Sequence, residues 1–249
     1  MMKPGLLSLA LAVLPALGAF GMDFSLGAGG LLGGLFTRYT LRADGELVVP
    51  VQVFSEQELD QINFGGFLFF DATWAELSLG LQGGRGAYWE AISAKSGGQE
   101  VYGQRGGGTG RETMLDLSLL GKYPFRLNER LSIFPLAGLS YQIALRQYRD
   151  PDLGAEYDRT DGIREKDRKG NAYTLSAWNS LFINIGAGLD ITLYRRLFLR
   201  TEVLYGFRLK TPFEIDALDR VKDTLKAPDP KLKGLTGGPS LRLSLGWRL

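Results

Sequence analysis

The chain ends Ser240-Leu241-Arg242-Leu243-Ser244-Leu245-Gly246-Trp247-Arg248-Leu249, and the reading of this stretch decides the fold. Leu241, Leu243, Leu245, Trp247 and Leu249 share one phase, while Ser240, Arg242, Ser244, Gly246 and Arg248 share the other. Successive side chains of a β-strand point to opposite faces, so a period of two means one wholly apolar face and one polar face. Ten residues exceed the five or six usual in a soluble sandwich strand. They match the roughly 9 to 11 needed to cross a bilayer at a tilt.

Working towards the N-terminus, the pattern returns. Leu77, Leu79 and Leu81 oppose Glu76, Ser78, Gly80 and Gln82, and Leu115, Leu117, Leu119 and Tyr123 oppose Asp116, Ser118 and Lys122. Alternate residues from Ile133 to Leu145 oppose Ser132, Gly138, Ser140, Gln142 and Arg146, with Phe134 and Leu136 as exceptions. Leu181 to Leu189 oppose Asn184, Gly186, Gly188 and Asp190; Leu197 to Leu209 oppose Arg200, Glu202, Gly206 and Arg208. Two more strands are read from their neighbours: glycine-rich Met22 to Arg38, and Ile62 to Phe70, apolar on both phases.

Short links fall near Asp71–Thr73, Phe125–Arg130 and Tyr194–Arg196, and long polar ones near Thr40–Gln61, Ile92–Gly110, Arg149–Ala172 and Thr211–Gly234. They alternate along the chain. Consecutive antiparallel strands end at opposite rims, so the long loops gather at one end and the tight turns at the other, the asymmetry of outer-membrane barrels. The expected fold is therefore all-β: a closed up-and-down antiparallel transmembrane β-barrel of eight strands, with long extracellular loops, short periplasmic turns and periplasmic termini.

The aromatic residues sort by end in that topology. Trp74, Tyr123, Phe125, Tyr194 and Trp247 fall at the short-turn end, and Tyr39, Trp89, Tyr148 and Trp178 towards the long-loop end. They are the expected interfacial girdles. The polar phase places Glu76, Asp116, Asp190 and Glu202 with Lys122, Arg146, Arg200, Arg208, Arg242 and Arg248 in the lumen. An eight-stranded interior is about wide enough for its own side chains, so these charges are expected to pair across it and plug it.

Upstream of the first strand, Met1-Met2-Lys3 precedes an apolar run from Leu6 to Leu17 and the small residues Gly18, Ala19 and Gly21. This is the pattern of a secretory signal, too short for a spanning helix. Cleavage after Gly21, with Gly18 as the alternative, divides the chain into a signal peptide, 1–21, and one β domain, 22–249.

Composition narrows the function classes. The 29 basic and 27 acidic residues are spread along the chain, which gives no nucleic-acid footprint. Cysteine is absent, so no disulfide framework or thiolate metal site is available. Histidine is absent as well, removing the commonest general base, the Ser-His pair and the commonest metal ligand. No catalytic residue, cofactor or metal is expected. Gly106-Gly107-Gly108-Thr109-Gly110 lacks the lysine and strand-to-helix frame of a phosphate loop and reads as a flexible loop tip. Arg149 to Lys169 is dense in both signs of charge and reads as a solvated loop. Ile215, Leu218, Val221 or Lys222, and Leu225 recur at helical spacing until Pro228 and Pro230 stop them, the pattern of a short amphipathic helix.

The chain resembles the small eight-stranded outer-membrane barrels, the family that includes OmpX, the OmpA transmembrane domain and, more distantly, OmpW. The resemblance rests on the signal, the strands, the link lengths, and Lys122-Tyr123-Pro124-Phe125 followed by Phe134-Pro135-Leu136-Ala137-Gly138-Leu139-Ser140-Tyr141. It implies that Arg242, Ser244, Trp247 and Leu249 form the signal read by the barrel-assembly machinery, although glycine and an aromatic residue usually stand where Ser244 and Leu249 are. It also implies outer-membrane lipids as surroundings and an extracellular ligand for the loops. Barrel-type phospholipases and deacylases depend on histidine, so their activity does not carry over. The expected role is structural and surface-interacting; the alternatives are a narrow pore of the OmpW kind and a soluble lipocalin-like binding barrel. The last needs the leucines inside and Arg200, Glu202, Arg242 and Arg248 outside.

Overall fold

The computed structural model describes residues 23–46, 50–96, 99–151, 174–212, 214, 215, 219, 223 and 231–249. The candidate signal peptide, the loop expected over Arg149–Ala172 beyond Pro151, and most of the amphipathic segment after Ile215 lie outside them.

Nine strands form one sheet among the described residues: β1 Phe24–Glu46, β2 Pro50–Ala72, β3 Ala75–Ser96, β4 Gln99–Lys122, β5 Phe125–Arg126, β6 Leu131–Pro151, β7 Ser180–Tyr194, β8 Leu197–Arg208 and β9 Lys231–Arg248. Their order is β4-β3-β2-β1-β9-β8-β7-β6-β5, antiparallel throughout. β4 also pairs with β6, from Gly108 opposite Pro151 to Lys122 opposite Leu136. Each long strand thus has hydrogen-bonded neighbours on both sides, and the sheet rolls round an interior.

The expectation of a closed eight-stranded barrel with long loops is corrected by this rolled nine-stranded sheet. The additional strand, β5, lies in the expected short link Phe125–Arg130 and pairs with Ile133 and Ser132 of β6. More consequentially, Thr40–Gln61 and Ile92–Gly110 are largely strand, not loop. Residues 47–49 alone separate β1 from β2, and residues 97 and 98 alone separate β3 from β4. The Gly106–Gly110 segment lies inside β4, facing Glu90 to Gly86 of β3. At about 3.3 Å per residue, the 23 residues of β1 and β2 run for roughly 75 Å.

The outer face changes character along that length. Towards the short turns it is a belt of exposed apolar residues, including Leu32, Phe36, Ile62, Leu68, Leu79, Leu119, Ile185 and Leu243. Above the belt, Arg38 and Arg42 on β1 and Glu56, Glu58 and Asp60 on β2 are exposed on the same phase. Phe36 lies opposite Asp60 at the switch. This upper part is a water-facing extension of the sheet, and its polarity is what makes it look like loop in the sequence.

Two-residue turns close the lower end, with left-handed backbone at Thr73 (φ 43°) and Arg195 (φ 47°). Thr73 Oγ1 accepts a 2.7 Å hydrogen bond from Asp23 N, which ties the turn to the start of β1. At the upper end Thr211 and Glu214 form a capping box: Glu214 N donates to Thr211 Oγ1 (3.2 Å) and Thr211 N to Glu214 Oε2 (2.8 Å). Pro212 occupies the position after the cap, where its missing N–H is harmless. Among the described residues no helix is long and apolar enough to cross a membrane.

Candidate functional site

The side chains facing the interior form three levels. At the lowest, Arg200 of β8 is 1% exposed and bonds Asp190 through Nε (2.7 Å) and Nη2 (2.8 Å), Glu76 through Nη1 (2.6 Å) and Asp71 through Nη2 (2.5 Å). Lys122 also ion-pairs Asp71. One guanidinium therefore gathers carboxylates from β2, β3 and β7, making a charge-assisted lock across the interior.

Phenylalanines wall this lock. The Arg200 guanidinium lies 4.8 Å from the ring centroid of Phe69, 5.1 Å from Phe134 and 5.2 Å from Phe198. Lys122 lies over Phe134, Arg242 over Phe67 and Arg248 over Phe198, so each cation has a ring face as well as its polar partners. The rings fit because glycine stands opposite them: Gly27 faces Phe69, Gly188 faces Phe134 and Gly246 faces Phe198. A Cβ at Gly188 or Gly246 would sit 2.2 Å from the facing ring.

The middle level is polar and neutral-to-charged. Arg242 donates to Ser78 Oγ (3.3 Å) and Ser118 Oγ (3.2 Å), and lies 3.8 Å from both Glu76 and Asp116. Asp116 accepts from Ser118 (2.6 Å), Gln82 (3.3 Å) and Gln142 (3.2 Å). A cavity of about 60 Å³ opens here, lined by Asn63, Gln82, Asp116, Gln142, Asn184 and Arg242 among others. The top level is apolar: the short 3-10 turn Leu175–Trp178 brings Ala177 and Trp178 onto Met114 and Ala144.

Of the residues assigned to the lumen from sequence, Glu76, Asp116, Asp190, Arg200, Glu202 and Arg242 are buried there, and Lys122 joins them through Asp71. Arg248 is partly buried over Phe198, and Arg208 is drawn to Glu214 at the upper rim. Neither oxygen of Glu202 has a hydrogen-bond partner. Arg146 is a correction, because it is exposed on the outer face. The register shifts between Thr113 and Met114, whose partners are Arg146 and Ala144, so Leu145 is an extra residue that reverses the phase. Asn179 Oδ1 accepts the Ala144 N–H (2.9 Å) beside this bulge.

Asp71, Phe67, Phe69, Phe134 and Phe198 belong to this interior cluster, and the sequence reading did not assign them to it. Asp71 was placed in a turn, yet it shares the phase of Phe67 and Phe69 at the end of β2 and is 3% exposed. That continued alternation was the available signal.

The girdle positions Trp74, Tyr123, Phe125, Tyr194, Trp247 and Trp89 are exposed on the outer face. Tyr39 is half-buried and its hydroxyl accepts from Thr236 Oγ1 (2.7 Å). Trp178 is corrected: it belongs to the 3-10 turn and is buried against Met114 and Ala144, away from the outer face. The Tyr148 side chain lies outside the described set. In the terminal strand Arg242 and Ser244 face inward, and Trp247 and Leu249 outward.

No protein-family model matches the chain, and no curated protein matches it. Among solved structures it is similar to the translocator domain of the autotransporter NalP from Neisseria meningitidis, at 14% identity over 89% of this chain and 88% of that one, with a TM-score of 0.26. It is also similar to the outer membrane protease OmpT from Escherichia coli, at 8% identity over 91% and 97%, TM-score 0.30. A third is Ail, the attachment invasion locus protein of Yersinia pestis, solved with the heparin analogue sucrose octasulfate, at 12% identity over 90% and 99%, TM-score 0.23. Superpositions this loose do not assign the chain to any of these folds. The resemblance to the small eight-stranded barrels is corrected by the sheet itself, which has nine strands among the described residues. What stands is an all-β fold with an apolar outer belt and a charged interior.

Proposed function

We propose that the chain is an integral protein of a bacterial outer membrane with a structural and surface-interacting role, its sheet extension presented to the outside. The observation that carries this reading is the inversion of the usual burial: Arg200 and Glu202 are 1% exposed and Glu76 is 0% exposed, while Leu79 is 46% and Leu243 52% exposed. A soluble barrel has its leucines inside, so water is the wrong solvent for this outer face. The belt on β2 runs from Ile62 to Phe70, about 26 Å along the strand or about 20 Å of height at a 35–45° tilt, and outer-membrane barrels carry an apolar band about 25 Å tall. Outer-membrane lipids are then its surroundings, and the barrel-assembly machinery its route in.

The Arg200 lock and the Trp178 cluster obstruct the interior at two levels. This supports a scaffold over a pore. The test is heat-modifiable migration in detergent gels together with partition into the outer-membrane fraction; recovery as a soluble periplasmic protein overturns the proposal. Planar-bilayer recordings separate scaffold from channel, the scaffold giving no steady conductance.

A further inference from the structure

Three arginines stand together where the apolar belt ends on β3, β4 and β6. Arg85 lies directly opposite Arg111 in the β3–β4 ladder, and both are exposed on the outward phase that carries Leu81 and Leu115 lower down. Arg146 lies opposite Thr113, two residues from Arg111, and is outward only because the bulge at Leu145 reverses its phase. Directly opposed side chains have Cβ atoms about 5 Å apart, and diagonal ones about 7–8 Å. Like charges so placed destabilise a sheet unless something of opposite sign lies between them.

The described residues do not supply that charge. Arg85, Arg111 and Arg146 have no ion-pair partner among the described residues. On β1, by contrast, the outward Arg38 is paired with Glu58 of β2 at 3.8 Å. These three cations stand on three adjacent strands, immediately above side chains suited to acyl chains.

The geometry points to a binding site for the phosphate groups of an outer-leaflet lipid, held by Arg85, Arg111 and Arg146 with its acyl chains against the belt below. A guanidinium presents its donors in a fork that matches phosphate oxygens, and two of them each within about 8 Å of the central Arg111 suit a headgroup bearing more than one phosphate. The bulge is the device that completes the site, because in unbroken register Arg146 would point into the interior. This inference rests on the outer-membrane reading.

The full-length mature chain, folded into phosphatidylcholine vesicles, tests it with diphosphorylated glucosamine lipid as the probe, the same lipid without phosphates as the control, and inorganic phosphate as a competitor. The site predicts saturable retention of the diphosphorylated lipid and little retention of the control. At about fivefold per basic residue near an anionic surface, R85Q/R111Q/R146Q should weaken retention roughly a hundredfold. R126Q/R130Q, at the opposite rim, should leave it unchanged. Equal retention of both lipids by the wild type, or undiminished binding by the triple variant, overturns the site. Displacement by millimolar inorganic phosphate alone, without any acyl-chain requirement, overturns the lipid assignment. If the triple variant does not insert, the wild-type comparison of the two lipids decides. Failure of the wild type to insert into vesicles at all refutes the membrane reading instead.

Discussion

Replacing Arg200 with methionine removes the charge that joins three strands while keeping an unbranched side chain of similar reach. Asp190 loses bonds of 2.7 and 2.8 Å and Glu76 one of 2.6 Å, whereas Asp71 keeps its ion pair with Lys122. Asp190 is thereby left buried without its cation and Glu76 keeps only the 3.8 Å contact with Arg242, in a site where Arg200 is 1% and Glu76 0% exposed. Breaking a buried ion pair from one side costs about 3–5 kcal/mol, because the remaining charge stays desolvated. The Phe69, Phe134 and Phe198 rings gain an apolar neighbour, which offsets a minor part of this. Urea unfolding in lipid vesicles, followed by tryptophan emission, should therefore show R200M less stable by about 3–5 kcal/mol. The triple variant R200M/E76Q/D190N should recover much of the loss, since the stranded charges go with the cation. An R200M protein within about 1 kcal/mol of wild type would refute the lock as a buried charge network.

Other substitutions follow from the same geometry. Glu202 has no hydrogen-bond partner on either oxygen, so E202Q should change stability by less than about 1 kcal/mol, whereas D190N should cost about 1.5–3 kcal/mol through weakening two charged bonds in the same urea titration. A Cβ at Gly138 would lie 2.1 Å from the Leu119 carbonyl oxygen, and one at Gly66 3.5 Å from that of Gly29. G138A should therefore destabilise by about 1–3 kcal/mol and G66A by less than about 0.5, compared by urea midpoint. Leu79 is exposed in the belt and Glu56 in the extension, so L79R should cost about 2–4 kcal/mol in vesicles and E56R almost nothing. Equal costs would show that both positions face water.

The end of β9 from Ser240 was legible because its polar phase holds only serine, arginine and glycine, and its apolar phase only leucine and tryptophan. β1 was blurred for a structural reason: Gly27 lies opposite an inward phenylalanine, so the alternation is carried by size and not by polarity. In β2 both phases are apolar, since Phe67 and Phe69 face inward to pack against Arg242 and Arg200, while Leu68 and Phe70 face outward. The extension escaped because a sheet wetted on its outer face carries Arg38, Glu58 and Asp60 where a buried strand would carry leucine. Polarity alone then mimics loop. Arg146 went to the wrong face because a bulge adds one residue, and period-2 reading has no means of counting it. The charged interior could be named from phase, yet its centre could not: nothing in the sequence singles out Arg200 until β2, β3, β7 and β8 are in register.

The absence of cysteine permits the most direct test of the inverted arrangement, since each introduced thiol reports alone. Single variants L79C, L117C and L243C in the belt, and E58C and D60C in the extension, are expressed in a Gram-negative host and exposed on intact cells to a membrane-impermeant maleimide. The account predicts rapid labelling at 58 and 60, none at 79, 117 and 243, and labelling of all five after denaturation in urea. Prompt labelling of the three belt positions in the folded protein would contradict it.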